Sequence, residues 1–249
     1  MIRLDITSVS NIGCVRSQNE DMILVDNHFV RDSEFSIQTS LNHGDRYLVA
    51  VADGMGGHNS GDVASNDALR SLQYFFSDIP ENLNASEFNE AMVEWLDSIN
   101  NYVASKGRAD EQFKGMGTTL VGFAYYYGDF FSMNCGDSRL YCFRHGKLTQ
   151  LTTDHSLSNM LGSEKHTNII TNCIGGGSKS SYLDLIRMTD VQSGDDYLLC
   201  SDGLTDMISD RMIAQMLTAG ADATALCDAA IEAGGYDNVS CCVITLKFD

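Results

Sequence analysis

The sequence predicts an α+β fold, on three observations. Apolar runs of strand length recur along the chain. Turn signals join several of them into hairpins. Helical spacing is confined to a few stretches that come in pairs. The size agrees: 249 residues are enough to bury a full core, and we expect one domain spanning 1–249. With 43% hydrophobic and 20% charged residues, disorder is excluded as the main state.

Residues 2–9 alternate loosely and read as a first strand, and 22–30 (Met-Ile-Leu-Val-Asp-Asn-His-Phe-Val) read as a second. The polar stretch 31–45 reads as a surface loop. Residues 46–52 form a short apolar run, a buried strand that stops at Asp53-Gly54-Met55-Gly56-Gly57. Residues 61–78 put Val63, Ala64, Ala68, Leu69, Leu72, Phe75 and Phe76 on one helical side. Residues 86–105 repeat the pattern with Phe88, Met92, Trp95, Leu96, Ile99 and Val103, and Ser86 lies in the N-cap region. From 118 to 151 the pattern turns to strands, with hairpin turns at Gly128-Asp129 and His145-Gly146. Tyr125, Tyr126 and Tyr127 read as a strand with partly exposed aromatics. Residues 197–200 are another buried strand, ending at Ser201-Asp202-Gly203. Helices near 210–219 and 222–233 follow, and 239–248 close the pattern as a strand. There is no Rossmann-like alternation and no GxGxxG.

The charge excludes one class of partner. Sixteen basic against 34 acidic residues leave −18, so no nucleic acid is expected. No run approaches 18 apolar residues, and residues 1–10 lack a signal pattern, so we expect no membrane span and a cytoplasmic protein. The eight cysteines include no CxxC pair. Cys135, Cys142, Cys200, Cys241 and Cys242 sit inside apolar runs and read as buried reduced thiols.

Acidic residues recur at the ends of these strands: Glu20-Asp21, Asp53, Asp137, Asp202 and Asp237. A strand fixes the backbone of such a residue while its side chain projects beyond the sheet. Carboxylates gathered in one crevice repel, and a hard divalent cation with a preference for oxygen relieves that repulsion. Taken alone, each is equally explained as a turn former or helix cap. Asp202 suits the start of the Gly203 turn, Asp237 a turn before Asn238, and Asp53-Gly54 a turn before the helix at 61.

That bland reading weakens because the carboxylates stand in longer strings. These are Gly13-Cys-Val-Arg-Ser-Gln-Asn-Glu-Asp21, Val51-Ala-Asp-Gly-Met-Gly-Gly-His58 with Gly61, and Gly115-Met-Gly-Thr-Thr-Leu120. Then come Asn134-Cys-Gly-Asp-Ser-Arg-Leu-Tyr141, Leu151-Thr-Thr-Asp-His-Ser156, Cys200-Ser-Asp-Gly-Leu-Thr205 and Gly235-Tyr-Asp-Asn-Val239. In this order, from residue 13 to 239, they resemble the metal-dependent Ser/Thr protein phosphatases of type 2C (PPM) in their bacterial form. The resemblance implies a central antiparallel β-sandwich flanked by helix pairs, a four-layer αββα arrangement. It implies hydrolysis of phosphoserine and phosphothreonine by a water that two metal ions activate, with Mn²⁺ or Mg²⁺ as the ions and a weaker third. Asp53 would bridge the two metals, Asp202 and Asp237 would complete the first, and Glu20 with the carbonyl of Gly54 would hold the second. Asp21 would orient the attacking water, and Asp137, shared with Asp202, would serve the third ion. Asp53, Asp202 and Asp21 would thus be the catalytic set. Arg16 matches the family's phosphate clamp, a role suited to a planar, always-charged guanidinium. Phosphorylated proteins would be the substrates, and a cognate Ser/Thr kinase and its targets the partners.

The sequence departs from the animal pattern at Met55, where a histidine assigned as general acid would stand, so the leaving-group proton has no assigned donor. His58 reads as capping or packing at the start of the 61–78 helix, and His155 as structural. The segment 157–168, where the family carries a longer flap, is short, which would open the cleft. Two other functions compete: a catalytically inactive phosphoprotein-binding regulator of the same fold, and a phosphohydrolase acting on a small molecule. The complete carboxylate set argues against the first.

Overall fold

The computed structural model describes residues 1–56, 60–162, 169–177 and 180–248. In chain order the first elements are β1 (Ile2–Asn11), β2 (Met22–Val25), β3 (His28–Val30), β4 (Ser33–Leu41), β5 (Arg46–Ala52) and β6 (Gly54–Met55). Helices α1 (Gly61–Asp78) and α2 (Ala85–Ala109) follow, then β7 (Gly117–Thr118), β8 (Leu120–Tyr126), β9 (Asp129–Cys135), β10 (Arg139–Arg144) and β11 (Lys147–Gln150). After α3 (Leu157–Met160) come β12 (Ile174–Gly175), β13 (Asp184–Met188) and β14 (Asp196–Cys200). The last elements are α4 (Asp202–Thr205), α5 (Asp210–Thr218), α6 (Ala223–Glu232) and β15 (Val239–Phe248).

Two six-stranded sheets face each other, in the orders β11-β10-β14-β15-β1-β4 and β13-β9-β8-β5-β2-β3. Their strand pairs are antiparallel. Between them lies an apolar layer that includes Ile6, Val49, Val51, Phe123, Leu199 and Ile244. A second layer joins the β5-containing sheet to α1 and α2 through Leu69, Leu72, Phe88 and Trp95. A third joins the β15-containing sheet to α5 and α6 through Ile213, Leu217 and Leu226. The αββα layering is therefore present. Each central strand is covered on both faces, which is why β5, β8 and β14 read as unbroken apolar runs.

The helices follow from their spacing. In α1, Ala64, Ala68, Leu69, Leu72 and Phe76 recur at three- and four-residue intervals and are buried. Arg46 donates to the carbonyls of Phe76, Ser77 and Ile79 and so closes its C-terminal end. Helix α2 begins one residue before the predicted range, and its N-cap is Asn84, not Ser86. Asn84 accepts from the N–H groups of Ser86 and Glu87 at 2.9 and 3.1 Å, and Glu87 returns a bond to Asn84 N–H at 2.9 Å. Such a reciprocal cap contributes about 1 kcal/mol. Phe88 stacks on Tyr126 with centroids 4.6 Å apart.

Three expectations are corrected. The run 22–30 is two strands, because Asp26 takes a left-handed φ of 54° and turns the chain into a hairpin. The polar stretch 31–45 contains β4, in which Phe35, Ile37, Thr39 and Leu41 alternate with exposed residues. As an edge strand it keeps polar residues on its other face. Tyr125 and Tyr126 are buried, each only 2% exposed, and Tyr126 donates to Pro80 O and accepts from Leu83 N–H. The cysteines are free thiols: Cys14 is exposed, Cys142 half-buried and the others buried. Among the described residues no helix is long and apolar enough to cross a membrane.

Candidate metal and phosphate site

Five loops at the strand ends deliver the predicted side chains. Glu20 and Asp21 precede β2, Asp53 follows β5, and Asp137 lies in the β9–β10 turn. Asp202 opens α4 after β14, and Asp237 lies just before β15. Backbone bonds stitch these loops together. Gly54 N–H donates to Glu20 O at 3.2 Å, and Glu20 N–H donates to Asn238 Oδ1 at 2.9 Å. Asn238 in turn donates to the carbonyls of Ile12 and Gln18, which holds the segment carrying Arg16. Gly54 has to be glycine: a Cβ there would lie 2.1 Å from Gly61 O. That contact brings the start of α1 against the loop, and Gly61 N–H donates to Glu20 Oε1 at 3.0 Å. A carboxylate at a helix N-terminus is favoured by the helix dipole.

The carboxylates feel one another. Asp53 is pushed well above its ordinary range by burial, then by Asp21, Asp202, Asp137 and Asp237. Burial, with Asp202 and Asp237 among its neighbours, pushes Asp21 to about 7. Burial and Asp202 push Asp137 to about 7. Burial, Asp206 and Asp237 push Asp202 to about 6. Glu20 is also raised, chiefly by burial. Carboxylates raised by burial and by one another's charge, with no histidine or cysteine among these predicted residues, fit a hard divalent cation. Among the described residues no three His, Cys, Asp or Glu side chains are gathered closely enough to cage an ion. Instead Asp237 Oδ2 accepts from Arg16 Nη2 at 2.6 Å, and Glu20 is held by Gly61.

Asp21 differs from the rest. It is 1% exposed, whereas Glu20, Asp53, Asp137, Asp202 and Asp237 are half-buried. Ser201 donates to its Oδ2 at 2.8 Å, and Ser201 is itself held by Ser240 N–H at 3.1 Å. Arg16 and Asp237 are both accessible, with 51% and 38% of their side chains exposed. Beside them opens a cleft of about 910 Å³, lined by Arg16, Arg139, Gly203, Asp206, Tyr236 and Asp237 among others. Met55 is half-buried on β6 and brings no acid. His58 and residues 163–168, on which the reading of the short flap rests, lie outside the described residues.

Sequence reasoning missed the residues that hold the carboxylates. Thr119 Oγ1 accepts from Asp53 N–H at 3.0 Å and lies 2.7 Å from Ser138 Oγ, so one hydroxyl ties the Asp53 loop to the Asp137 loop. Thr119 N–H also donates to Asp53 O at 2.8 Å, and Thr118 donates to the same carbonyl at 2.9 Å. The only signal was the Gly-Thr-Thr string, which carried no role. Asn238 and Ser201 were likewise quoted only as neighbours of aspartates.

A family model described as protein phosphatase 2C matches residues 26–230. The protein phosphatase PhpP of Streptococcus pneumoniae is 33% identical over 259 residues, covering 98% of this chain and 98% of that protein. The structure of the S. agalactiae serine/threonine phosphatase has a TM-score of 0.82 and 30% identity, covering 97% of this chain and 99% of that one. The catalytic domain of the serine/threonine phosphatase PstP, solved with two manganese ions, has a TM-score of 0.76 and 29% identity over the whole of both chains.

Proposed function

The chain belongs to the protein phosphatase 2C family, and from that premise we propose how its residues act as a metal-dependent protein serine/threonine phosphatase. The observation that carries the reading is that Asp21, Asp53, Asp137 and Asp202, all at strand ends, are raised by burial and by the charge of neighbouring aspartates. Asp53, Asp202 and Asp237 would hold one divalent ion, with Asp53 shared to a second ion held by Glu20 and the carbonyl of Gly54. When bound, the two ions supply positive charge against the phosphoryl oxygens and acidify the attacking water. Mn²⁺ and Mg²⁺ both suit these oxygen donors, and Asp137 with Asp202 is the place for a third, weaker ion.

The protein's own residues do the rest. Arg16 is the phosphate clamp. Its ion pair with Asp237 is half exposed and therefore weak, so the guanidinium is released to a phosphate at little cost. Asp21, buried just before β2, would orient the attacking water. The cleft beside Arg16 receives the peptide around the phosphosite. We take residues 1–249 as one catalytic unit, a reading supported by the pairing of β1 with β15 along their full lengths. A Ser/Thr kinase must load the phosphate that this enzyme removes, so a kinase and its targets are the partners. The net charge of −18 favours basic target segments. A cytoplasmic setting, where such kinases have ATP, completes the proposal.

The test is phosphate release from a phosphothreonine peptide with Mn²⁺ or Mg²⁺. Chelator abolishes it, and Asp53→Ala lowers it by about 10³-fold or more while the protein stays folded. Metal-independent turnover, or an active D53A, overturns the reading.

A further inference from the structure

His155 is not among the site carboxylates, and it is 6% exposed. Both ring nitrogens are engaged. Nδ1 lies 3.1 Å from Gly136 N and 2.8 Å from Asn172 Nδ2, and Nε2 lies 3.0 Å from Asp184 Oδ2. The tautomer follows from these neighbours. Gly136 N–H is a donor by necessity. The Asn172 amide is oriented by Tyr182, whose N–H donates to Oδ1 at 3.1 Å and whose carbonyl accepts from Nδ2 at 2.8 Å. Two donors therefore aim at Nδ1, which must carry the lone pair, and the ring hydrogen sits on Nε2 and is donated to Asp184.

The same residue grips Gly136 a second time, since His155 N–H donates to Gly136 O at 2.9 Å. On the far side the turn has no slack: Gly136 has φ +131°, and a Cβ there would lie 2.6 Å from Thr119 Cβ. Neighbouring bonds lock the turn to the same segment. Asn134 donates to Thr153 O at 2.9 Å, and Arg139 grips Asp154 through Nε and Nη2 at 3.0 and 2.6 Å. The residue after Gly136 is Asp137.

We propose that His155 is a positioning residue for Asp137. Its Nδ1 lone pair fixes the Gly136 amide, and this sets where the next carboxylate stands relative to a bound cation. The proposal rests on the reading of Asp137 as a cation ligand. It separates the two ends of the ring. An asparagine places Oδ1 where Nδ1 stood, so His155→Asn keeps an acceptor for Gly136 and loses Asp184. A glutamine reaches Asp184 but leaves the buried Gly136 N–H without an acceptor.

The experiment is calorimetric titration of the metal-stripped full chain with Mn²⁺, with the Gly136 amide resonance followed by NMR. His155→Gln should weaken the weakest Mn²⁺ step by roughly tenfold or more, as lost outer-shell partners do, and shift the Gly136 amide. His155→Asn should restore both. In an Asp137→Asn background, His155→Gln should add nothing. If H155Q is too unstable to purify, Asp184→Ala, at a half-exposed position, leaves Nδ1 facing Gly136 and should bind Mn²⁺ like wild type; a weakened step there would put the effect at the Nε2 end and overturn the proposal. The proposal falls if H155Q binds Mn²⁺ like wild type, or if its effect persists undiminished in D137N. If D137N alone leaves every Mn²⁺ step unchanged, Asp137 is no ligand, and that reading falls together with the proposal.

Discussion

Two aspartates of this protein are equally hidden and behave oppositely. Asp195 is 0% exposed and Asp21 is 1% exposed. Burial pushes Asp195 up, but Arg144, Gln192 N–H and Tyr197 together bring it below its ordinary range. Arg144 meets it with two nitrogens at 2.6 and 2.7 Å, and Tyr197 donates at 3.0 Å. Asp21 has hydroxyls from Ser201 and Ser240 and Arg31 on its backbone carbonyl at 2.7 Å, but burial, with Asp202 and Asp237 nearby, raises it to about 7. Asp195 sits between β13 and β14 and serves the fold. Asp21 sits just before β2, where the groups around it do not offset the cost of burying its charge. The bidentate guanidinium on Asp195, which Asp21 lacks, distinguishes the two carboxylates.

Substitutions at the two places break the comparison in opposite directions. Arg144→Ala strands a buried charge and should cost about 3 kcal/mol, seen as a melting temperature about 6–12 °C lower with phosphatase chemistry intact. Asp21→Asn keeps an acceptor for Ser201 and removes a charge that burial disfavours. It should stabilise the metal-stripped protein by about 1–2 kcal/mol at pH 7.5 while lowering kcat. Calorimetric melting of both variants beside wild type checks the pair; equal signs would refute the contrast.

pH sharpens the same contrast. Asp21, Asp137 and Asp202 have folded values of about 7, about 7 and about 6 against 3.8 in an open chain. Between about pH 4 and 7 the folded state therefore holds more protons than the unfolded one, and their contribution to stability is lost as pH rises through that window. The sign is opposite for Asp195, whose contribution is lost only as pH falls through its depressed value. Metal-stripped protein should melt higher at pH 6 than at pH 7.5, by about 3 °C or more, and added Mn²⁺ should raise the melting temperature more at pH 7.5. A metal-free melting curve that does not change across this range would contradict the crowding of these carboxylates. The smallest effect concerns Arg16. Arg16→Lys replaces a bidentate donor with a point charge, so KM should rise roughly several-fold with kcat less affected, as initial rates on the phosphopeptide would show.

The carboxylates were legible because each interrupts an apolar run at a strand end, and the ordered strings made turn-forming coincidence untenable. The helix at 61–78, and residues 86–105 of the helix that runs over 85–109, were legible through their periodicity. What holds the site was not. Thr119 meets Asp53 N–H across 66 positions, Ser201 meets Asp21 across 180, and Asn238 meets Glu20 across 218. Such bonds have no local period, and only the folded sheet order brings their partners together. β4 was hidden for a different reason. Its outward residues are polar, as an edge strand requires, and they masked the alternation of Phe35, Ile37 and Leu41.

The pairing of β1 with β15 has a temporal consequence. β15 lies between β14 and β1 in its sheet, so during synthesis the first strand made waits for the last one of the sandwich. Asp237 arrives with that strand. On the ribosome the nascent chain cannot close this sheet, nor assemble the crevice, until residue 248 has emerged. Dephosphorylation therefore waits for β15, however early the other strands of the sandwich are made.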